Sequence, residues 1–213
     1  MWYFILKNIV LGPLLKVLFR PWVRGAERIP SDGAAILASN HLSFSDSIFL
    51  PIAVPRKITF MAKSEYFEGP GIRGKATAAF FRGAGQVPVD RTGGNASTAA
   101  ISTGVRLLNE GHLLGIYPEG TLTRDENLWP MVAKTGAARL AIITRLPIVP
   151  VAAWGIADVL PRYNKMPHIW KRSKITLRAG KAIDMSPWYG KQDDPVALAQ
   201  ATAHMMDVLT TML

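Results

Sequence analysis

The sequence predicts one α/β domain with a mixed central sheet flanked by helices, preceded by a hydrophobic helical segment that associates with membranes. Short apolar runs alternate with stretches of helical periodicity, which is typical of α/β proteins. The chain has 213 residues, enough for a single domain with a substantial core. Residues 1–19 are mostly aromatic or aliphatic. We therefore place the membrane-associating segment at 1–24 and the folded domain at 25–213.

The N-terminal segment has the length of a membrane helix but not a simple pattern. As a helix, residues 1–19 would extend roughly 28 Å, close to the thickness of a bilayer core. Lys7 and Lys16 fall on opposite sides of that helix, Pro13 would bend it, and Arg20 follows directly. No small-residue cleavage site follows, so a secretory signal peptide fits badly. This favours a helix lying in the membrane interface; a true span and a helix packed on the domain's own core remain open.

The composition favours a lipid partner. Hydrophobic residues make up 49% of the chain, the mean hydropathy is +0.15, and the formal net charge is +10 with a pI near 10.1. Basic charge alone suits nucleic acid and anionic lipid equally, and the apolar excess favours an anionic bilayer surface. Segment 161–174 interleaves basic and aromatic residues and is either a headgroup contact or a solvated basic loop. Nucleic acid is not an expected partner.

The absence of cysteine narrows the chemistry. With none in the chain, disulfides, thiolate zinc sites and cysteine nucleophiles are excluded. The same absence fits a reducing compartment. The histidines at 41, 112, 168 and 204 show no metal-ligand spacing, so no metal site is predicted.

The individual elements follow from the apolar runs and the helix signals. Strands are predicted at 34–38, 58–62, 86–90, 113–117, 148–154 and 174–179. Helices are predicted at 98–110, at 135–145, and after Asp194, a plausible N-cap followed by Pro195 in the first turn. The first and fourth strands end directly in polar sequences. Ligands of open α/β sheets bind beyond the carboxyl ends of strands, so these two ends are the expected site.

A histidine and an aspartate follow the first of these strands. His41 precedes Asp46 by five positions, and on a regular helix five positions span about 500°, so the two would not share a face. They can meet only on a turn or across a helix start. There the carboxylate would accept the Nδ1 proton and leave Nε2 free to act as a general base. No serine or cysteine has an obvious place as a nucleophile beside the pair, so the pair indicates direct attack by an alcohol on a bound acyl donor.

Further polar groups lie at the other strand ends. Lys63 follows the second strand and Arg91 follows the third, where cations are natural phosphate ligands. The fourth strand ends in Tyr117-Pro118-Glu119-Gly120-Thr121, a tight turn that can offer backbone N–H groups to an oxyanion or phosphate. Glu119 would either hydrogen-bond the acceptor or brace the turn.

Together these motifs resemble a known family. Asn40-His41, with Asp46 after four further residues, and Pro118-Glu119-Gly120-Thr121 resemble the glycerolipid acyltransferases of the bacterial 1-acylglycerol-3-phosphate acyltransferase type. Residues 85–91 look like that family's second block, and 148–151 look like its fourth. The resemblance covers residues 34–153 firmly. Four blocks in the same order are far more specific than any one of them.

The resemblance implies a role for each residue. His41 would be the general base and Asp46 its orienting partner. Lys63 and Arg91 would hold a phosphate of the acceptor, and Glu119, Gly120 and Thr121 would help to position it, so that all five would be substrate-binding residues. The acceptor would be a lysophospholipid such as 1-acylglycerol-3-phosphate, and the co-substrate would be acyl-CoA or an acyl carrier protein, with no cofactor. Residues 25–213 would be the acyltransferase domain, acting on the cytoplasmic face of the cell membrane.

One departure leaves the acceptor open. After Glu-Gly-Thr the family usually carries an arginine, whereas this chain has Leu122 and places Arg124 two positions later. Arg124 would substitute from a shifted loop, or the acceptor lacks a phosphate there. Another lipid hydroxyl, that of a monoacylglycerol or glycolipid, is therefore the alternative within the enzyme class. A non-enzymatic basic lipid-binding module is the alternative outside it.

Overall fold

The computed structural model describes residues 2–90, 96–162, 164, 166–169 and 173–213. Its seven strands are β1 (Trp22–Arg24), β2 (Ala35–Ser39), β3 (Ile58–Lys63), β4 (Gln86–Val89), β5 (Leu113–Ile116), β6 (Ile148–Trp154) and β7 (Thr176–Ala179). The helices are α1 (Trp2–Ile5), α2 (Gly12–Phe19), α3 (Asp46–Ala53), α4 (Gly71–Gly83), α5 (Ala96–Asn109), α6 (Gly136–Thr144), α7 (Ile156–Val159) and α8 (Pro195–Met212). A π-helical stretch, Leu6–Leu11, joins α1 to α2, so that Trp2–Phe19 forms one N-terminal helix.

The strands form one mixed sheet in the order β1-β7-β6-β2-β5-β3-β4. Every neighbouring pair is parallel except β6 and β7. All five residues of β2 are buried, as are the first six of β6. Strands covered on both faces are continuous apolar runs, which is why they could be identified from the sequence. The predicted mixed α/β sheet is confirmed.

Two helical layers cover the sheet. Alternate side chains of a strand point to opposite faces, and in β2 Leu37 belongs to one apolar cluster and Ile36 to the other. The first cluster contains Phe19 of the N-terminal helix and Phe49 of α3. The second contains side chains of α5, α6 and α8 such as Leu108, Leu140 and Met205. We call the N-terminal helix, α3 and α4 the first layer, and α5, α6 and α8 the second layer.

The N-terminal helix is attached to the domain along its length. The N–H of Ile58 donates to the Tyr3 hydroxyl at 3.1 Å, the Lys7 ammonium donates to the carbonyl of Val54, and Phe19 is buried in the core. The opposite face is exposed and apolar, formed by Trp2, Phe4, Ile9, Val10, Leu14 and Val17. By length and composition Trp2–Phe19 is the helix among the described residues that could cross a membrane, with a mean hydropathy of 1.5 and 17% of its residues buried.

The structure adds elements that the sequence did not reveal. Strand β1 is only three residues long and pairs with β7 at one edge, so the sheet already begins within the predicted segment 1–24. Helix α3 begins at Asp46 itself, and α4 carries almost no buried side chain apart from Ala78. The six predicted strands are all present, with ends displaced by at most two residues.

The basic segment 161–174 is described only in part. The Arg162 guanidinium donates to the carbonyl of Thr123, so this cation supports a neighbouring loop. Five of the residues that predicted a headgroup contact lie outside the described residues: Tyr163, Lys165, Trp170, Lys171 and Arg172. That contact stays a prediction.

Candidate active site

His41 and Asp46 meet on the turn between β2 and α3. Asp46 is the first residue of α3, and its Oδ2 accepts from His41 Nδ1 at 2.8 Å and from the N–H groups of Leu42 at 2.7 Å and Ser43 at 2.9 Å. The chain therefore folds back across a helix start, the arrangement that the five-residue spacing requires. With Nδ1–H held by the carboxylate, the proton is assigned to Nδ1 and Nε2 is left as the basic nitrogen.

Asp46 is a deeply buried carboxylate. Its side chain is 2% exposed, against 15% for His41, and its Oδ1 has no hydrogen-bond partner among the described residues. Burial raises the pKa of Asp46, and the hydrogen bond and charge of His41 and the two backbone N–H groups only partly offset this. The carboxylate is thus arranged to hold the imidazole, not to meet a substrate.

Asn40 holds this turn against the neighbouring strand. Its Nδ2 donates to the carbonyl of Ala153 at 3.0 Å, and its Oδ1 accepts from the N–H of the same residue at 2.9 Å. Asn40 is 1% exposed, so both polar ends of its amide are satisfied in the core. The base is thereby fixed to β6 as well as to β2.

Glu119 braces the backbone of the site. Its Oε1 accepts from the N–H of His41 at 3.0 Å, and its Oε2 accepts from the N–H of Met131 at 2.9 Å. Burial raises the pKa of Glu119, and these two N–H groups lower it by less. The N–H of Thr123 completes the frame by donating to the carbonyl of His41 at 2.8 Å. Of the two predicted roles for Glu119, the geometry favours bracing.

Tyr117 lies flat against the imidazole. The ring centroids of His41 and Tyr117 are 3.9 Å apart with an interplanar angle of 9°, and Phe60 continues the parallel stack at 5.7 Å from Tyr117. Gly115 makes room for this stack, because a Cβ there would lie 2.4 Å from the Phe60 ring. Burial, followed by the charge of Asp46, raises the pKa of the Tyr117 hydroxyl well above its usual range. The phenol therefore stays neutral beside the base.

The sequence contained Tyr117 but did not identify this role. Tyr117 was expected only as the last residue of a strand, and the direction of its side chain depends on contacts with β3. An aromatic residue directly before Pro-Glu-Gly-Thr is the signal that was present. Gly115 was a second such signal, because a glycine inside a strand often marks a position that another group approaches closely, here the Phe60 ring.

A cavity of about 700 Å³ opens beside His41. Its wall is largely apolar and is formed by the N-terminal helix, α3, β3 and α4. The predicted residues that line it are His41, Lys63, Gly120 and Thr121. A cavity of this volume and polarity is suited to an apolar chain with a reacting group at one end.

The other predicted residues lie elsewhere. Asp46 and Glu119 are buried behind the wall and act on its backbone and on His41. Arg124 is exposed and does not line the cavity. Arg91 lies outside the described residues, so its role stays a prediction. Leu122, which stands where the family usually has arginine, lines the cavity and is 4% exposed.

A cation that the sequence did not single out lies beside the Gly120 turn. A Cβ on Gly120 would be 3.1 Å from Cε of Lys134 and 3.3 Å from its Nζ. Gly120 also has a φ of +71°, a conformation that favours glycine. Lys134 is exposed, and its N–H donates to the carbonyl of Pro118 at 2.9 Å. Within the described residues no group of three or more His, Asp or Glu side chains is placed to hold a metal ion.

Comparison with known proteins connects this site to one family. Residues 20–154 match the family model described as Acyltransferase. The 1-acyl-sn-glycerol-3-phosphate acyltransferase of Bacillus subtilis (strain 168) is 31% identical over 162 residues, covering 76% of this chain and 72% of that protein. Human 1-acyl-sn-glycerol-3-phosphate acyltransferase beta is 29% identical over 167 residues, covering 77% and 56%.

Two further matches differ in extent. The chloroplastic 1-acyl-sn-glycerol-3-phosphate acyltransferase BAT2 of Brassica napus is 30% identical over 140 residues, which are 65% of this chain but 38% of the plant protein. The crystal structure of the 1-acyl-sn-glycerophosphate acyltransferase PlsC from Thermotoga maritima superposes with a TM-score of 0.67 at 21% identity, over 95% of this chain and 75% of that one. At that identity the likeness concerns the fold.

Proposed function

The chain belongs to the acyltransferase family and is an O-acyltransferase, and from this we propose that it acylates the free hydroxyl of a lysophospholipid of the 1-acylglycerol-3-phosphate type in phospholipid biosynthesis. The family resemblance of the motifs is confirmed. The observation that carries the proposal is His41, oriented by a buried carboxylate, at the wall of an apolar cavity of about 700 Å³. The activities for which the Bacillus subtilis and human relatives are named support this acceptor.

In the proposed reaction His41 acts as the general base. Nε2 takes the proton of the acceptor hydroxyl as its oxygen attacks the carbonyl carbon of a thioester, either acyl-CoA or an acyl-carrier-protein thioester. The tetrahedral intermediate then expels the thiolate, and the imidazolium transfers the proton to it. An ester and a free thiol result, with no covalent acyl-enzyme. Asp46 and the Tyr117 ring both stabilise the imidazolium that forms between the two steps.

The intermediate's oxyanion needs hydrogen-bond donors near His41. The N–H groups of Thr121 and Leu122 donate no hydrogen bond within the described part of the chain, and both residues line the cavity. Backbone N–H groups that are fixed before the reaction stabilise a developing oxyanion most effectively. We assign this role to the turn at Gly120.

The acceptor's phosphate would be held by cations around the cavity. Lys63 lines it, Lys134 lies beside Gly120, and Arg91 and Arg124 are further candidates from the sequence. Leu122 favours a second candidate acceptor, the hydroxyl of a monoacylglycerol or glycolipid, because an apolar side chain occupies the position where the family usually has arginine.

The N-terminal helix supports a membrane-associated protein. Contacts at Tyr3, Lys7 and Phe19 hold one face of this helix on the domain, so lipid cannot surround it while they persist. Its other face is apolar and exposed. We therefore propose that residues 1–24 contain a helix that lies in the interface of an anionic bilayer, on the cytoplasmic face of the cell membrane, with residues 25–213 as the acyltransferase domain.

The experiment is thiol release from acyl-CoA by the full chain, with products identified by mass spectrometry. The acceptors are 1-acylglycerol-3-phosphate, the corresponding monoacylglycerol, and a lysophospholipid with a larger headgroup. We expect the phosphate acceptor to give the highest kcat/KM. Acceptor-dependent release with monoacylglycerol alone would select the second candidate, and no acyl transfer to any of the lipids would contradict the proposal.

A matched pair of substitutions tests the phosphate site. Lys63→Gln removes a cation of the cavity wall and should raise KM for 1-acylglycerol-3-phosphate about tenfold while leaving monoacylglycerol turnover unchanged. Lys181→Gln removes an exposed lysine beyond β7 and should change neither. Equal losses with both acceptors would exclude Lys63 from phosphate binding.

A further inference from the structure

Helix α4 presents an apolar face to solvent. Ile72, Ala76, Ala79 and Phe80 recur at the spacing of one helical face, and all four are exposed, Ile72 by 87% and Phe80 by 47%. The opposite face carries the contacts with the domain: Ala78 is buried and the Phe81 ring stacks on Tyr66 at 5.1 Å. A surface helix ordinarily has the reverse arrangement, so this apolar face indicates a partner.

Cations border this face on both sides. Arg73 lies along one edge, Lys75 and Arg82 lie along the other, and all three are exposed. Helix α4 contains no aspartate or glutamate; the nearest carboxylates in the chain are Glu65 and Glu68, in the turn before it. A second copy of the chain docked symmetrically here would bring cationic edges together, which opposes self-association. An anionic partner is favoured.

The same face continues into the N-terminal helix and borders the cavity. A Cβ on Gly83, at the end of α4, would lie 3.8 Å from Leu6 and 3.9 Å from Trp2. Phe80 lines the cavity, as do Phe44 and Tyr66, which are 58% and 40% exposed. The exposed apolar side chains therefore surround the space into which an acyl chain would enter.

We infer that α4 is a second lipid-docking surface of this protein, which inserts its Ile72–Phe80 face into an anionic phospholipid bilayer while Arg73, Lys75 and Arg82 contact the headgroups. This inference rests on the proposed membrane-surface function and deepens it. Apolar side chains flanked by cations are the pattern of helices that lie in a membrane interface. Docking at both helices would place the cavity against the bilayer, so that a lipid can pass between the two without crossing water.

The absence of cysteine permits a direct test with single labels. Three variants of the full chain each carry one environment-sensitive fluorophore: Ile72→Cys in α4, Val17→Cys in the N-terminal helix, and Val196→Cys in α8. Val196 is an exposed apolar residue of the second layer, 65% accessible, and serves as the matched control. Vesicles contain phosphatidylcholine with phosphatidylglycerol, or phosphatidylcholine alone, with and without nitroxide-labelled lipid as quencher.

We expect the label at 72 to shift to shorter emission wavelength and to be quenched, as the label at 17 is, with no response at 196. Arg73→Gln and Lys75→Gln should each weaken partition into the anionic vesicles about fivefold, corresponding to about 1 kcal/mol for each cation at the membrane surface. A response at 72 in the absence of thiol release would preserve this inference and contradict the proposed function.

Three outcomes would overturn the inference. The first is a silent label at 72 while the label at 17 responds, which would limit docking to the N-terminal helix. The second is an equal response at 72 and 196. The third is a response at 72 in samples without lipid that increases with protein concentration, because a second copy of the chain would then cover the apolar face of α4.

Discussion

The two helical layers of this domain cover the same sheet but present different surfaces outward. In the described side chains of α5, α6 and α8, the exposed large apolar residues are Ile143 and Val196. The N-terminal helix alone exposes six, and α4 adds two more: Trp2, Phe4, Ile9, Val10, Leu14, Val17, Ile72 and Phe80. The second layer exposes few large apolar side chains, whereas the first layer has an inner face that packs on the domain and an apolar outer face that the proposed bilayer would cover.

The position of the candidate site agrees with this difference. His41 and the cavity lie on the side of the first layer. Asp46 is the first residue of α3, which belongs to that layer, and the Lys7 ammonium of the N-terminal helix donates to the carbonyl of Val54 at the other end of α3. Among the described residues, none of α5, α6 or α8 lines the cavity. The candidate base and the exposed apolar surface thus occur on the same side of the sheet, which supports the proposed acylation of an acceptor held in a bilayer.

The largest expected effect comes from an aspartate-to-asparagine change made in each layer. Asp46→Asn should lower kcat for thiol release about 10³-fold or more, because a neutral amide cannot hold the imidazole in the Nδ1–H form. Asp194→Asn, at the N-cap of α8 where the side chain accepts from Val196 and Ala197, should have no effect, since asparagine caps helices equally well. Comparable decreases of kcat in the two variants would contradict the conclusion that only the first layer contributes to catalysis.

The next effect concerns the stack at His41. Tyr117→Leu removes the aromatic ring and should lower kcat roughly fivefold with little change in KM, because stacking favours the imidazolium by about 1 kcal/mol. Tyr117→Phe keeps the ring and should retain most of the activity, since the phenol hydroxyl is buried and neutral. The comparison is made from full pH–rate profiles. If the leucine and phenylalanine variants behave alike, the ring does not assist the base.

A third prediction addresses the outer faces. Val17→Glu places a carboxylate on the exposed face of the N-terminal helix and should lower turnover of a bilayer-borne acceptor about tenfold, while turnover of a detergent-dispersed acceptor stays unchanged. Val196→Glu makes the same change in the second layer and should affect neither. Substitution is preferable to deletion because Tyr3 and Phe19 are buried in the domain. Equal loss in both assays would indicate a structural role for the helix.

The smallest effect is the pH dependence of stability. Burial raises the folded-state pKa of Glu119 above the usual 4.5, so between the unfolded and folded pKa values only the folded state holds the proton. The free energy of unfolding therefore decreases as pH rises through this range. Urea titrations should show a steeper decrease in the wild type than in Glu119→Gln, which keeps the contribution of Asp46, with Glu126→Gln, an exposed glutamate, as control. Parallel curves for the wild type and Glu119→Gln would contradict the raised pKa of Glu119 in the folded state.

The sequence predicted most of the sheet and the central pair of the site. Strand β2 was identifiable because a strand buried on both faces is an uninterrupted apolar run. The His41–Asp46 contact followed from a spacing that only a turn could satisfy. Strand β1 was missed because Trp22–Arg24 is a short edge strand in which no residue is buried.

Other features depended on contacts between distant segments. The roles of Glu119 and Tyr117 are set by the N–H of His41 and by the ring of Phe60, neither of which is near in sequence. Helix α4 was missed because its apolar residues face outward and few of its side chains are buried, so its pattern did not indicate a helix packed on a core. Its sequence reflects a surface that the domain itself does not cover.

The central claim is that His41 removes the proton of a lipid hydroxyl at a bilayer surface. The direct measurement is thiol release and vesicle co-sedimentation on the same samples, comparing the wild type, His41→Ala and His204→Ala, a histidine of α8 in the second layer. We predict that His41→Ala binds vesicles as the wild type does but loses acceptor-dependent thiol release by about 10³-fold, while His204→Ala retains both. Turnover by His41→Ala at the wild-type rate would contradict the account.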